Sequence, residues 1–213
     1  MNISEVIEIA SRSVMISGLA TLLASLWSIP LTYVLAKPSR ISRILTSIFE
    51  ALVGIPTVLV GLLLYLLLSS SGPLGFFQLL YTPQAIILGE SLLITPIIIA
   101  TSYRIVRVAY ETYGELAISL GADKKQTMKL IIKESFPGIL GSIVMGFSRA
   151  IGELGIALMI GGNIKGYTRV MTTAIALEIA RGEYELATVL GVILISIMII
   201  VAFISRTLKR FQE

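Results

Sequence analysis

Residues 186–205 read LATVLGVILISIMIIVAFIS, a run without a single charge. A bilayer core about 30 Å thick takes about 20 apolar residues in α-helix, so this stretch reads as one complete membrane crossing. Moving back along the chain, blocks of the same length and character occupy 14–35, 51–70, 83–103 and 138–160. Each is expected to be a helix, because lipid forces every backbone N–H and C=O to find its partner inside the segment. Barrel strands would run about 10 residues with apolar and polar positions alternating, and nothing here alternates. The expected fold is an all-α integral membrane protein with five transmembrane helices in a single domain over 1–213.

Composition agrees. Of 213 residues 55% are hydrophobic and 14% charged, against roughly 25% charged in a soluble domain. The chain has neither cysteine nor histidine, which removes disulfides, thiolate nucleophiles, Cys/His metal sites and histidine-based triads. No catalytic residue and no metal ligand is expected. The net charge of +4 does not read as a nucleic-acid face, because the cations flank the apolar blocks as they do in membrane proteins. Glu5 and Glu8 stand where a signal peptide carries positive charge, and the 14–35 block is too long for its apolar core. That segment is expected to remain as the first span.

The flanking cations also orient the chain. Lys37, Arg40 and Arg43 follow the first block; Arg104, Arg107, Lys124, Lys125, Lys129 and Lys133 lie between the third and fourth; Arg206, Lys209 and Arg210 follow the fifth. Alternation puts these 12 on one side and Arg12, Lys165, Arg169 and Arg181, four in all, on the other. Positive charge stays inside, so the N-terminus is expected outside and the C-terminus in the cytoplasm.

Two connections are long enough to hold structure. In 104–137 the run Glu115-Leu116-Ala117-Ile118-Ser119-Leu120-Gly121-Ala122-Asp123 precedes an amphipathic stretch and Pro137. It reads as a helix, a break at Gly121 and a second short helix ended by Phe136-Pro137: either a rigid cytoplasmic knob for another protein or a solvated loop. Glu115, Ala117 and Gly121 resemble the Glu-Ala-Ala motif of ABC-importer permeases, in which this segment forms the coupling helix gripped by the ATPase. The resemblance assigns coupling to Glu115, Ala117, Gly121, Ala122 and Asp123. No Gly-x-x-x-x-Gly-Lys-Ser/Thr loop is present, so ATP and its magnesium are expected on a partner and no cofactor on this chain.

The second connection extends the resemblance. Residues 159–184 read MIGGNIKGYTRVMTTAIALEIARGEY, similar to the corresponding segment of tungstate permeases, siblings of molybdate and sulfate permeases. Pro56-Thr57-Val58-Leu59-Val60-Gly61 and Ser71-Gly72-Pro73-Leu74-Gly75 share that similarity, and the longer spacing from Gly121 to Pro137 fits the same branch. Gly161, Gly162 and Asn163 suit an anion-binding concavity, Thr168, Thr172 and Thr173 offer hydroxyls, and Arg169 offers a planar fork. A capped turn with a solvated face explains the same residues.

Within the spans, Arg149 and Glu153 fall at i, i+4 on a stripe of small residues, where an anion contact and a locking ion pair are both consistent readings. Glu90 poses the same question with no partner evident in sequence; a structural or gating role is favoured, since an acid repels a dianion. Pro56 is expected to kink the second helix, and with Thr57 it stands among the path candidates. The resemblance implies type I importer architecture: a homodimer with two ABC ATPase subunits and an extracytoplasmic binding protein, in a prokaryotic cell membrane. Its solute is expected to be tungstate, then molybdate, with sulfate or phosphate as the alternative. An ATPase-independent ion carrier is the rival class; it would need ionisable groups along several spans.

Overall fold

The computed structural model describes the backbone of residues 3–37 and 39–210 and side chains as far as Ile204. Residues 1–2 and 211–213, on which the placement of the termini turns, lie outside the described residues, as do the side chains of Arg206, Lys209 and Arg210. The described residues form α1 (Ile3–Leu35), α2 (Arg40–Leu52), α3 (Thr57–Leu68), a 3-10 turn (Gly75–Phe77), α4 (Pro83–Ser119), α5 (Lys124–Ile151), α6 (Gly155–Gly161), α7 (Met171–Arg181) and α8 (Tyr184–Arg210). No strand occurs among them. Helices α1, α4, α5 and α8 are each long and apolar enough to cross a bilayer, while α2 and α3 make a fifth crossing only as a pair, bent by 101°.

Packing clusters fix the register. Ile16 of α1 packs with Ile86 of α4, Ala24 with Ile94 and Ile98, and Ala36 with Val106 and Ala109, so α1 and α4 run parallel. Trp27 Nε1 seals the pair by donating to Thr95 Oγ1 at 2.7 Å. Helix α5 runs antiparallel to α4: Ile131 and Ile139 join the Val106–Ala109 cluster, and Ala150 joins Ile94 and Ile98. Helix α8 closes the bundle, Leu190 packing on Val6, Ile9, Ile151, Met171 and Ala174.

Because α1 and α4 are parallel, the chain between them must return the length of the bundle. Helix α2 makes none of that journey. Arg43 near its start faces Tyr103 and Arg107 of α4, and Glu50 near its end pairs with Arg104 at 2.9 Å. It lies across the bundle at one level, and α3 climbs from there.

This corrects the expected helix over 51–70. Pro56 does not kink a continuous helix; it separates two. Lacking an N–H, and driving the preceding Ile55 out of helical geometry, it caps α3 with an extended backbone (φ −62°, ψ 124°). The expected span over 138–160 is likewise two helices, broken at 152–154. Helix α4 continues to Ser119, well past the expected boundary at 103, and 161–185 contains α7. The short helix expected to end at Phe136-Pro137 does not end there, since α5 runs through Pro137. A proline inside a helix costs about 3 kcal/mol, but Ile131 and Ile139 on either side bury against α4, and a Cβ on Gly138 would meet Ile105 Cγ2 at 2.6 Å. Tertiary packing holds the helix through the proline.

Candidate functional site

The turn between α4 and α5 is built by two capping motifs in succession. Gly121 N–H donates to the Ile118 carbonyl and Ala122 N–H to the Ala117 carbonyl, both at 3.0 Å, the paired pattern that closes a helix with a left-handed residue. Gly121 is that residue, at φ +86°, and a glycine adopts it without strain. Asp123 then starts α5: its Oδ1 accepts from Gln126 N–H, and Gln126 Oε1 accepts from Asp123 N–H, each at 2.8 Å. Ala117 is buried, Glu115 and Asp123 are exposed, and Leu116, Ile118 and Leu120 stand 56%, 60% and 80% exposed. An apolar patch thus rides on a rigid hairpin at one end of the bundle, the end that also carries Lys37, Arg40, Arg43, Arg104 and Arg107.

A second polar cluster lies where both helix breaks meet. A Cβ on Gly155 would stand 2.8 Å from Thr57 Oγ1 and 3.2 Å from Val58 N, so α3 and α6 begin side by side. Beside them Glu153 occupies the α5–α6 break and ties three elements together. Its Oε2 accepts from Arg149 at 2.7 Å, its Oε1 accepts from Ile156 N–H at 3.1 Å, and its carbonyl accepts from Thr172 Oγ1 at 2.7 Å. The Glu153 side chain is 2% exposed and that of Arg149 36%. The pair expected on one helix therefore spans a helix end, with the acid committed inward and the cation reaching open space. Glu90 is 1% exposed on α4, and Ser17 of α1 hydrogen-bonds its carboxyl, whose Oε2 keeps no partner among the described residues. Discontinuous helices around a few intramembrane charges are how membrane transporters form solute paths.

Residues 28–213 match the family described as binding-protein-dependent transport system inner membrane component. The chain belongs to that family. It is 39% identical over 91% of its length to the tungstate uptake system permease protein TupB of Peptoclostridium acidaminophilum, covering 85% of that protein. It is 31% identical to a probable anion ABC transporter permease protein of Haloferax volcanii, over 93% of this chain and 88% of that one. A third relative, TupB of Campylobacter jejuni, is 36% identical over 80% of this chain and 72% of its own.

In this permease the segment from Gly161 to Thr173 is tied mostly to itself. Gly162 and Asn163 take left-handed backbone. Thr168 Oγ1 donates to the Gly161 carbonyl at 2.5 Å and accepts from Ile164 N–H, while Thr173 Oγ1 donates to the Val170 carbonyl at 3.0 Å and accepts Val170 N–H. Asn163 donates to the Thr173 carbonyl and accepts from Arg169 Nε at 3.1 Å. Thr168 and Thr173 are fully buried, so their hydroxyls build the turn rather than a concavity open to an anion. Of the path candidates, Pro56, Thr57, Arg149, Glu153 and Thr172 come together at the two breaks; Gly161, Gly162, Asn163, Thr168 and Arg169 form the separate turn above, which Thr173 closes.

Sequence reasoning missed Ser17. It belongs to a buried stripe on α1, Ser13, Ser17, Thr21, Ser25, Ser28 and Thr32, in which Thr21, Ser25 and Thr32 each bond the carbonyl four residues back. Small hydroxyl residues spaced three and four apart in an apolar helix mark a face that packs on protein rather than lipid, and that spacing was the available signal.

Proposed function

We infer that the chain is the membrane subunit of an ATP-driven importer that takes an oxyanion, tungstate first and molybdate next, from a binding protein into the cytoplasm. The observation carrying this reading is its likeness over most of its length to two permeases named for tungstate uptake. The cluster at the helix breaks supports it: Arg149 commits one N–H to Glu153 and presents a partly exposed guanidinium to a passing dianion.

In this reading two copies enclose the path, since a few spans per protomer close a pore most simply about a dyad. Two ABC ATPase subunits grip the α4–α5 turns through Leu116, Ile118 and Leu120, and Glu115, Ala117, Gly121, Ala122 and Asp123 hold each turn in shape. ATP and magnesium act on those subunits, the basic end of the bundle faces the cytoplasm, and the N-terminal end faces the binding protein. The test is uptake into proteoliposomes containing permease, ATPase and binding protein, with tungsten measured by mass spectrometry. ATP-dependent accumulation of tungstate, suppressed by molybdate more than by sulfate, is expected. Absence of accumulation, or equal suppression by sulfate, overturns the assignment.

A further inference from the structure

At the basic end of the bundle a cavity of about 510 Å³ is lined by Ser39, Arg40, Ser42, Arg43, Tyr103 and Arg107. Three guanidiniums share it. Arg107 is partly neutralised, since its Nε donates to Glu111 at 2.6 Å and one of its NH groups to the Ala36 carbonyl at 3.3 Å. Among the described residues no carboxylate stands within ion-pair reach of Arg40 or Arg43; Glu50, the acid of α2, is taken by Arg104. The cavity therefore carries uncompensated positive charge and planar donors suited to a phosphate group.

Helix α2 shows where that phosphate comes from. Ser42 and Thr46 are buried toward the protein, while Ile41, Ile44 and Ile48 are 70%, 55% and 48% exposed. At about 100° per residue, Arg43 falls about 140–160° round α2 from Ile41 and Ile48 and Arg40 about 80–100°, with Ile44 at the border, about 40° from Arg40. A helix with that division, lying across the bundle at one level and bent 101° from the climbing α3, has the form of helices that lie in the membrane–water boundary. In that boundary an apolar side meets acyl chains and arginines meet headgroups.

We propose that this cavity binds the headgroup phosphate of an anionic phospholipid, whose acyl chains run past Ile41, Ile44 and Ile48. The lipid holds α2 in the boundary plane and supplies the missing counter-charge. Free inorganic phosphate or tungstate shares the charge but not the tails, so it binds there far more weakly.

The test uses the full chain in a neutral detergent, titrated with short-chain phosphatidylglycerol, short-chain phosphatidylcholine, inorganic phosphate or tungstate, with melting temperature as the readout. Phosphatidylglycerol is expected to raise the melting temperature at concentrations where the other three do not. Replacing Arg40→Gln and Arg43→Gln together is expected to weaken that response roughly tenfold or more in apparent affinity. Both side chains are exposed and make no ion pair among the described residues, so the melting temperature without lipid stays where it was. The charge-matched pair Lys129→Gln and Lys133→Gln, outside the cavity, keeps the wild-type response. An equal shift with phosphatidylcholine means that only the apolar side binds, and an equal shift with phosphate or tungstate means a free-anion site. Either result overturns the proposal, as does an undiminished response in the double arginine variant.

Discussion

Removing either partner of the Arg149–Glu153 pair should have very unequal consequences. Arg149→Met leaves a carboxylate that is 2% exposed with the Ile156 N–H as its remaining side-chain donor. An unpaired buried charge of this kind costs about 3–5 kcal/mol. In Glu153→Gln the amide oxygen still accepts from Ile156, and the freed guanidinium, already 36% exposed, turns to water. That change costs about 1 kcal/mol, the size of one screened ion pair or ordinary hydrogen bond. The double variant should return to within about 1 kcal/mol of wild type, giving a coupling energy of about 3 kcal/mol or more between the two sites. With roughly 2–4 °C lost per kcal/mol for a chain of this size, thermal unfolding of the purified protein resolves the four corners of the cycle. The inequality rests on Arg149 reaching water. If Glu153→Gln proves as damaging as Arg149→Met, the cation is buried in the assembled protein and its open face is wrong. Uptake by the double variant adds a second reading: a stable protein that no longer transports marks Arg149 as an anion contact, and full transport marks the pair as a lock.

Two further outcomes are expected. Gly121→Val should cost about 1–2 kcal/mol from the left-handed backbone alone, since nothing lies within 4 Å of its Cβ position; inserted but uncoupled protein, seen as lost solute-stimulated ATP hydrolysis, is expected, and normal stimulation would count against a docking role. Single cysteines at Ser71 and Lys165, both exposed, should react with an impermeant thiol reagent in intact cells, whereas cysteines at Ser39 and Asp123 should not; labelling at Asp123 reverses the orientation.

The membrane class and the four single-helix crossings were legible because lipid tolerates so few solutions that length and apolarity nearly suffice. The turn at Gly121 was legible for a related reason, since Gly-Ala-Asp after a helix spells a left-handed cap and then an N-cap. What sequence concealed were the breaks. Val53 to Pro56 lies in or beside apolar runs, and composition does not distinguish a kink in one helix from a 101° bend between two. Pro137 misled in the other direction, since a proline reads as an end unless the isoleucines around it are known to be packed on α4. Glu153 was read as a helical residue because i, i+4 spacing from Arg149 is satisfied equally by a helix and by a cap just past its end. Ser17 was passed over because the hydroxyl stripe of α1 carries no charge to draw notice, although its spacing marks one face. Arg40 and Arg43 were counted only for orientation, although their spacing against Ile41 and Ile48 already divides α2 into two sides.

The meeting of the two breaks has a mechanical consequence. Gly54 and Gly152, one in each break, have no Cβ contact closer than 3.6 Å, yet Glu153 pins the second break through Ile156 and Thr172. Above them α3 and α6 are interlocked, a Cβ on Gly61 reaching Met159 at 3.1 Å and the Gly155 carbonyl at 3.4 Å. Helix α6 is locked in turn to α4, where a Cβ on Gly89 would meet Ile156 at 2.5 Å and one on Gly161 would meet Ile86 at 2.6 Å, so a displacement of α3 is carried through α6 into the helix that ends at the Gly121 turn.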